Sequence, residues 1–350
     1  MVNTMKTRFL VYGLLMAFLV GLTAPDAMAG DKKRRGTAGA DHLLVPLTAR
    51  TTSLGNTMTA GVAGMSGLEA LYSNPAGLAA NPGTNAIFSR TDYVANIGVN
   101  YFGLAQRFGS NNIAVTFSSW DFGSIPLTTE ASPEISSITW DASFITAGLS
   151  YARQFTDRMA AGVTFKVISE SLDDTNATGL AFDAGMTYAV GESGLRLGVS
   201  LKNFGPSVKY DGTGLVKLER LASQPSNATP NAVSIEGSKF ELPSMLNFGI
   251  SYSRQVGAGA VVNVVGNFRS NSFTQDEFSG GLEVGFRNVL FLRGGYLVQE
   301  SDQNLSFFTG TNLGAGLNLD LGGTNLVVDY AYRSTDFFDS VNMITASITL

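Results

Sequence analysis

The chain has 350 residues, no cysteine, one histidine and a formal net charge of -5. Without cysteine there can be no disulfide, thiol nucleophile or thiolate metal site, and the acidic balance argues against nucleic acid as a partner. With 40 Gly, 23 Phe and 11 Tyr against 15% charged residues, the composition suits a β-protein with many turns and apolar faces rather than a helical enzyme.

Residues 1–29 read as a secretory signal peptide: Lys6 and Arg8, the apolar run Phe9 to Leu22, then Ala27-Met28-Ala29 before Gly30. The apolar run is shorter than the ~20 residues a spanning helix needs. Next comes a basic run, Lys32 to Arg35, which reads as a solvated arm or as a dock for anionic lipid or a partner. From Asp41 to Thr84 the chain is small and flexible, with Gly55, Gly61, Gly64 and Gly67 among alanines, serines and threonines, suited to packing inside something else. Ser66, three residues before Glu69, predicts a capping box on a brief helix reaching Tyr72. The block from Ala70 to Ala79 holds Asn74-Pro75-Ala76-Gly77. There the Asn74 amide can cap a turn, proline suits the first position of a short helix, and Asn74 is pushed out of helical geometry.

From Asn85 onward the pattern is period-2 alternation, the signature of strands with one apolar face. Leu180, Phe182, Ala184, Met186, Tyr188 and Val190 oppose Gly179, Ala181, Asp183, Gly185, Thr187 and Ala189, and the same alternation runs through 195–202, 278–287, 326–333 and 344–350. A water-soluble sandwich could alternate in this way, but the connections separate the two cases. About fourteen candidate strands are joined by tight turns such as 109–111, 191–194 and 320–323, alternating with longer loops at 123–137, 205–242 and 334–341. This predicts an all-β, transmembrane antiparallel barrel in the cell outer membrane, closed because hydrocarbon offers no partner to an open edge. Outer-membrane lipid and lipopolysaccharide are its expected surroundings. Phe108, Phe155, Tyr188, Phe286 and Phe291 fall near strand ends and suit interfacial girdles. In the loop 205–242, Leu215, Leu218 and Leu221 recur at helical spacing and predict a short helix over 215–222.

Fourteen strands leave a lumen too wide for wall side chains to fill, since about eight suffice for a filled interior and about sixteen leave a channel. The expected organisation is therefore a signal peptide at 1–29, an N-terminal arm and luminal plug at 30–84 with Asn74, Pro75, Ala76 and Gly77 as the plug's turn, and the barrel at 85–350. Arg196, Lys202, Glu283, Arg287, Arg293, Asp329 and Arg333 alternate away from the apolar face and are expected to point into the lumen. There they would either satisfy one another and hold the plug or clamp a carboxylate ligand.

The order of several short blocks resembles the PorV/PorQ family of outer-membrane proteins, related in architecture to FadL long-chain fatty-acid transporters. The blocks are Ala49-Arg50 with Leu54-Gly55, Ala70 to Ala79, Ser150-Tyr151-Ala152-Arg153 running into Asp157-Arg158, Gly162 to Lys166, Leu201 to Pro206, Leu242-Pro243, Gly281-Leu282-Glu283 and Leu292 to Tyr296. One departure is Ser73, where many relatives carry an aromatic residue before Asn-Pro. The resemblance implies a fourteen-strand barrel with an N-terminal plug and two functions: a type IX secretion subunit binding secreted cargo or a translocon, or a FadL-like channel taking up long-chain fatty acids or other hydrophobic small molecules.

Catalysis finds little support. A serine hydrolase site needs a histidine, and the one histidine, His42, falls in the plug segment and is expected near its periplasmic entrance. Asp173-Asp174 and Asp302 fall in outer loops where Ca²⁺-bridged lipopolysaccharide contact or plain solvation would account for them. No cofactor, metal site or enzymatic activity is expected.

Overall fold

Alternation with one apolar face drives each strand to show its greasy side outward, and pairing satisfies the backbone only if the sheet closes. The computed structural model, which describes residues 36–65, 67–128, 133, 139–220, 225, 227–257, 259–299 and 308–350, shows this closure. Fourteen wall strands run antiparallel: β1 Thr84–Asp92, β2 Gly98–Phe108, β3 Asn111–Pro126, β4 Thr139–Thr156, β5 Met159–Leu172, β6 Thr175–Ala189, β7 Leu195–Phe204, β8 Met245–Val256, β9 Ala260–Asn271, β10 Glu277–Phe286, β11 Leu290–Gln299, β12 Phe308–Asp320, β13 Asn325–Thr335 and β14 Val341–Thr349. Each pairs with its neighbours in sequence, and β1 closes on β14 from Asn85 opposite Thr349 to Asp92 opposite Asn342.

Outward positions such as Phe102, Leu104, Leu149, Phe165, Leu180, Val264, Leu282, Leu292, Leu313 and Ile344 are exposed apolar side chains, while inward Ser150, Thr164, Asp183, Ser200, Asn247 and Glu283 are buried. An apolar belt around a polar interior is the inverse of a soluble sandwich, and it suits hydrocarbon outside. Phe108, Phe155, Tyr188 and Phe286 face outward at the tight-turn rim. Phe291 does not join them. It shares the inward face with Arg293 two residues on, and both the Arg50 and Arg293 guanidiniums lie over its ring at 5.9 and 5.4 Å.

The connections that follow the even-numbered strands β2 to β12, such as Gly109-Ser110 and Asp157-Arg158, are all tight turns on one rim, which in such barrels faces the periplasm. The other rim carries the longer connections, except that β5 and β6 are joined by Asp173-Asp174 alone. In the 205–244 connection, Val208–Gly212 pairs with β6 and with Lys239–Phe240, extending the wall beyond the end of β7. The helix expected over 215–222 is not formed. A 3-10 turn at Thr213–Leu215 leads into strand Val216–Glu219, which pairs with Asn231–Ser234. With β-branched Val216 alternating with Lys217, Leu218 and Glu219, cross-strand pairing wins over the weaker helical spacing, and residues 221–222 lie outside the described part. The signal peptide, the Lys32–Arg35 run, Ser66 and Asp302 also lie outside the described residues.

Candidate functional site

The residues with most to distinguish this barrel lie inside it. Residues 40–83 thread the lumen from the long-loop rim, where Ala38 bridges Glu241, to the tight-turn rim, where Thr84 starts β1. The segment has almost no regular structure of its own: five residues of α-helix at Ala49–Ser53, four at Gly67–Ala70, and 3-10 turns at Asp41–Leu44, Met58–Ala60 and Pro75–Ala80. Elements this short do not hold themselves together, so the wall must fix them. Small apolar clusters do part of this. Leu68, Leu71 and Leu78 pack on Ile87, Tyr101, Ala105, Ala114 and Ala152; Leu43 packs on Ile168, Ala177 and Ala181; Ala49 meets Ala331 and Met343.

Three turns of the segment enter notches in the wall, each made by two glycines opposite one another on adjacent strands. Gly162 on β5 faces Gly185 on β6, Gly198 on β7 faces Gly249 on β8, and Gly281 on β10 faces Gly295 on β11. A Cβ at Gly162 or Gly185 would overlap Pro75 or Asn74; at Gly198 or Gly249, Thr59 and Ala60; at Gly281 or Gly295, Leu54 and Gly55. The glycines permit backbone approach that no other residue allows.

At the first notch Asn74 is extended, and its Oδ1 accepts from the Ala76 N–H at 2.9 Å, with Pro75 at the first position of the 3-10 turn. Its Nδ2 donates to Thr59 O at 2.8 Å, to Met186 O at 3.2 Å and to Val199 O at 3.3 Å. Ser200 Oγ adds a bond to Ser73 O at 2.8 Å. Asn74 thus caps its own turn and reaches two strands of the wall and another turn of the segment, while Ala76 and Gly77 are buried beside it.

The second anchor is ionic. Arg50 donates from Nε and Nη2 to both carboxylate oxygens of Glu283 at 2.9 and 2.8 Å, from Nη1 to Glu69 at 3.3 Å, and to the carbonyls of Gly64 and Ala63. Glu283 also receives Arg293 at 2.5 Å and Asn263 at 2.7 Å, and Arg293 continues to Asp329 at 2.5 Å. The bidentate Arg50–Glu283 pair is the strong form of such a contact, and the acids and bases are buried together. Of the lumen charges expected from the alternation, Glu283, Arg293 and Asp329 therefore satisfy one another and hold the segment.

The remaining four are placed differently. Lys202 is buried, with Nζ 3.7 Å from the centre of the Tyr72 ring, and Arg333 stacks on Phe308 at 3.3 Å. Arg196 is exposed at the tight-turn rim and lines, with Asp157, Arg158, Met65 and Tyr188, a cavity of about 220 Å³ between segment and wall. Arg287 is not a lumen residue. Its strand ends at Phe286, and Arg287 and Asn288 turn the chain with φ of 51° and 56°, which carries the side chain out to solvent. Alternation loses its meaning once the ladder stops.

Other polar pairs emerge only from the fold. Lys166 meets Asp183 at 2.5 Å and Asn203 at 2.9 Å, and Arg269 meets Glu277 at 2.9 Å and Asn247 at 3.0 Å. His42 is in the half of the lumen near the long loops, not at the periplasmic end, because the segment enters there and descends. Its Nδ1 lies 3.2 Å from Glu170 and its Nε2 3.2 Å from Thr146 Oγ1. Tyr210, from the long loop, donates to the other oxygen of Glu170; burial first, then this carboxylate, raises its phenol above the usual range. A cavity of about 60 Å³ lies between Leu43, Leu47, Leu71 and Tyr72 of the segment and the wall hydroxyls of Thr116, Ser118, Thr146, Ser150 and Thr164. Among the described residues no three His, Asp or Glu side chains converge as a metal site.

No protein-family model and no curated protein matches this chain. Among solved structures it is similar in fold to a deltaS2S3 mutant of the monoaromatic hydrocarbon channel TodX, with a TM-score of 0.54 and 13% identity over 86% of this chain and 97% of that one. The Pseudomonas putida toluene transporter TodX gives 0.53 and 13% over 85% and 96%. A Pseudomonas aeruginosa FadL homologue gives 0.52 and 9% over 87% and 98%. The architecture is thus that of FadL-like outer-membrane barrels.

Proposed function

We propose that this protein is a non-catalytic channel of the outer membrane that passes small hydrophobic molecules, with residues 40–83 as the plug that keeps it shut. The observation that carries the reading is how the segment is held. It makes no continuous strand with the wall and is seated instead by glycine notches, the Asn74 amide and the Arg50–Glu283 pair, contacts that can be exchanged without breaking the barrel's ladder. The cavities at the two ends of the segment, about 60 and 220 Å³, are suited to be stations on such a path. The likeness in fold to channels for toluene and monoaromatic hydrocarbons supports a small apolar cargo, carried in a membrane of lipid and lipopolysaccharide. An export leader at residues 1–29 belongs to the same proposal.

The second reading, a PorV/PorQ-type secretion subunit, rests on the sequence blocks, several of which build the plug's seat: Ala49-Arg50, Leu54-Gly55, Asn74-Pro75, Gly162 and Gly281-Leu282-Glu283. Two experiments separate the readings. Proteoliposomes of the purified protein should take up toluene faster than empty liposomes, and affinity capture from gently solubilised envelopes should recover a lone barrel. Toluene uptake equal to the empty control, with co-purified secreted cargo or a very large partner barrel, would replace the channel by the secretion reading.

A further inference from the structure

The apolar belt does not end evenly. At the tight-turn rim an open hollow of about 640 Å³ lies between the turn 257–259 and the turn joining β10 to β11, lined by Gly259, Phe286, Arg287, Val289 and Leu290. Unlike the two lumen cavities, it is on the outward side of the wall. Phe286 and Leu290 stand opposite one another on adjacent strands and face outward with Leu282 and Leu292. Phe286, Val289 and Leu290 are 44, 45 and 39% exposed, so no described residue covers the hollow.

Arg287 gives the hollow its charge. Residues 287 and 288 both take left-handed backbone, φ 51° and 56°, where asparagine, aspartate or glycine is favoured and a long side chain is costly. Left-handed positions in the other turns of this rim are glycines, among them Gly109, Gly257 and Gly322. Turn chemistry therefore does not call for an arginine here. Its stem lies against the neighbouring turn, where a Cβ at Gly259 would stand 3.4 Å from Arg287 Cγ, and its guanidinium makes no ion pair among the described residues. A cation whose stem runs along apolar surface at the edge of a membrane belt is placed to meet an anionic headgroup, while the belt beside it meets acyl chains.

We propose that this hollow is a site for an anionic glycerophospholipid of the periplasmic leaflet, its phosphate on Arg287 and an acyl chain along Phe286, Leu290 and Leu292. Such a site acts on the outer face of the barrel, whatever the lumen carries.

Native mass spectrometry of the purified protein, released from detergent with equimolar phosphatidylglycerol and phosphatidylcholine of identical acyl chains, tests this. Phosphatidylglycerol should be retained about fivefold over phosphatidylcholine, the discrimination expected of one arginine at a lipid surface. Arg287→Asn, which suits left-handed backbone and keeps the turn, should bring the two lipids to within about twofold of one another. Val289→Asp puts a carboxylate into the hollow and should do the same; it serves if Arg287→Asn loses its heat-modifiable mobility. Lys217→Gln, in the exposed hairpin of the other rim, removes the same charge and should leave the preference as in the parent. Glycerol phosphate in excess should not displace the lipid, since the acyl chains carry part of the contact. Equal retention of the two lipids, a parental preference in the hollow variants, a loss in Lys217→Gln as large as in Arg287→Asn, or displacement by glycerol phosphate would overturn the site.

Discussion

Replacing Arg50 by methionine removes the guanidinium that pairs bidentately with Glu283 of the wall while keeping most of its apolar volume. The wall partner Glu283 is fully buried and retains Arg293 and Asn263, so it is left with one cation instead of two; Glu69 loses its guanidinium, and the Gly64 and Ala63 carbonyls lose a donor. Breaking a buried pair from one side costs about 3–5 kcal/mol, and the retained Arg293 places this case near the lower end. At ~1.4 kcal/mol per tenfold, the docked-to-released ratio should fall roughly a hundredfold or more. The ladder of β1 to β14 does not pass through Arg50, so the barrel should still assemble. The assay is single-channel conductance in planar bilayers, with protease nicking of residues 40–83 as an independent measure. Larger or more frequent openings and faster nicking are expected, and Glu283→Gln added to Arg50→Met should recover part of the loss by removing the under-compensated carboxylate. A variant as closed and protease-resistant as the parent would refute the view that the ionic pair seats the plug.

Asn74→Ala with Pro75→Ala should also leave an intact, heat-modifiable barrel but loosen the plug, because the cap and three carbonyl partners are lost at about 1 kcal/mol or more for each group left unsatisfied; unchanged conductance would count against it. Gly185→Ala puts a methyl where Asn74 Oδ1 lies and should weaken the same seat by about 1–3 kcal/mol, whereas Gly109→Ala at an open turn should leave nicking as in the parent. Deleting the hairpin 216–234 should spare insertion and toluene uptake, since its strands Val216–Glu219 and Asn231–Ser234 form a two-stranded sheet apart from the wall; failure to fold in detergent, seen by circular dichroism, would make it structural.

The wall was readable because alternation and turn spacing act locally. Each strand's apolar face answers to hydrocarbon, whatever its neighbour, and β7 spans Leu195–Phe204 as its pattern predicts. The same rule misplaces Arg287 because the ladder ends at Phe286, and nearness to a strand end misplaces Phe291, which shares the inward face with Arg293. The plug's seat was only half readable. Asn74-Pro75 announces a turn, but its partners Met186 and Val199 are backbone atoms 112 and 125 residues away, and backbone acceptors leave no mark on side-chain pattern. Arg50 likewise finds Glu283 across 233 residues, which spacing cannot reveal.

One signal was present. A glycine at an inward position of a wall strand gives up strand propensity and side-chain packing, so it needs a reason. Three such glycines have an inward glycine directly across the ladder, and all three pairs face a backbone turn of the plug. Once strand register is known, paired inward glycines therefore mark where another segment must approach the wall, even before that segment is placed. The notches also explain how a plug with so little secondary structure takes a definite position. It is located by shape at three points around the ring and tied by the Arg50–Glu283 pair, and those points are where substitutions should separate plug release from barrel stability.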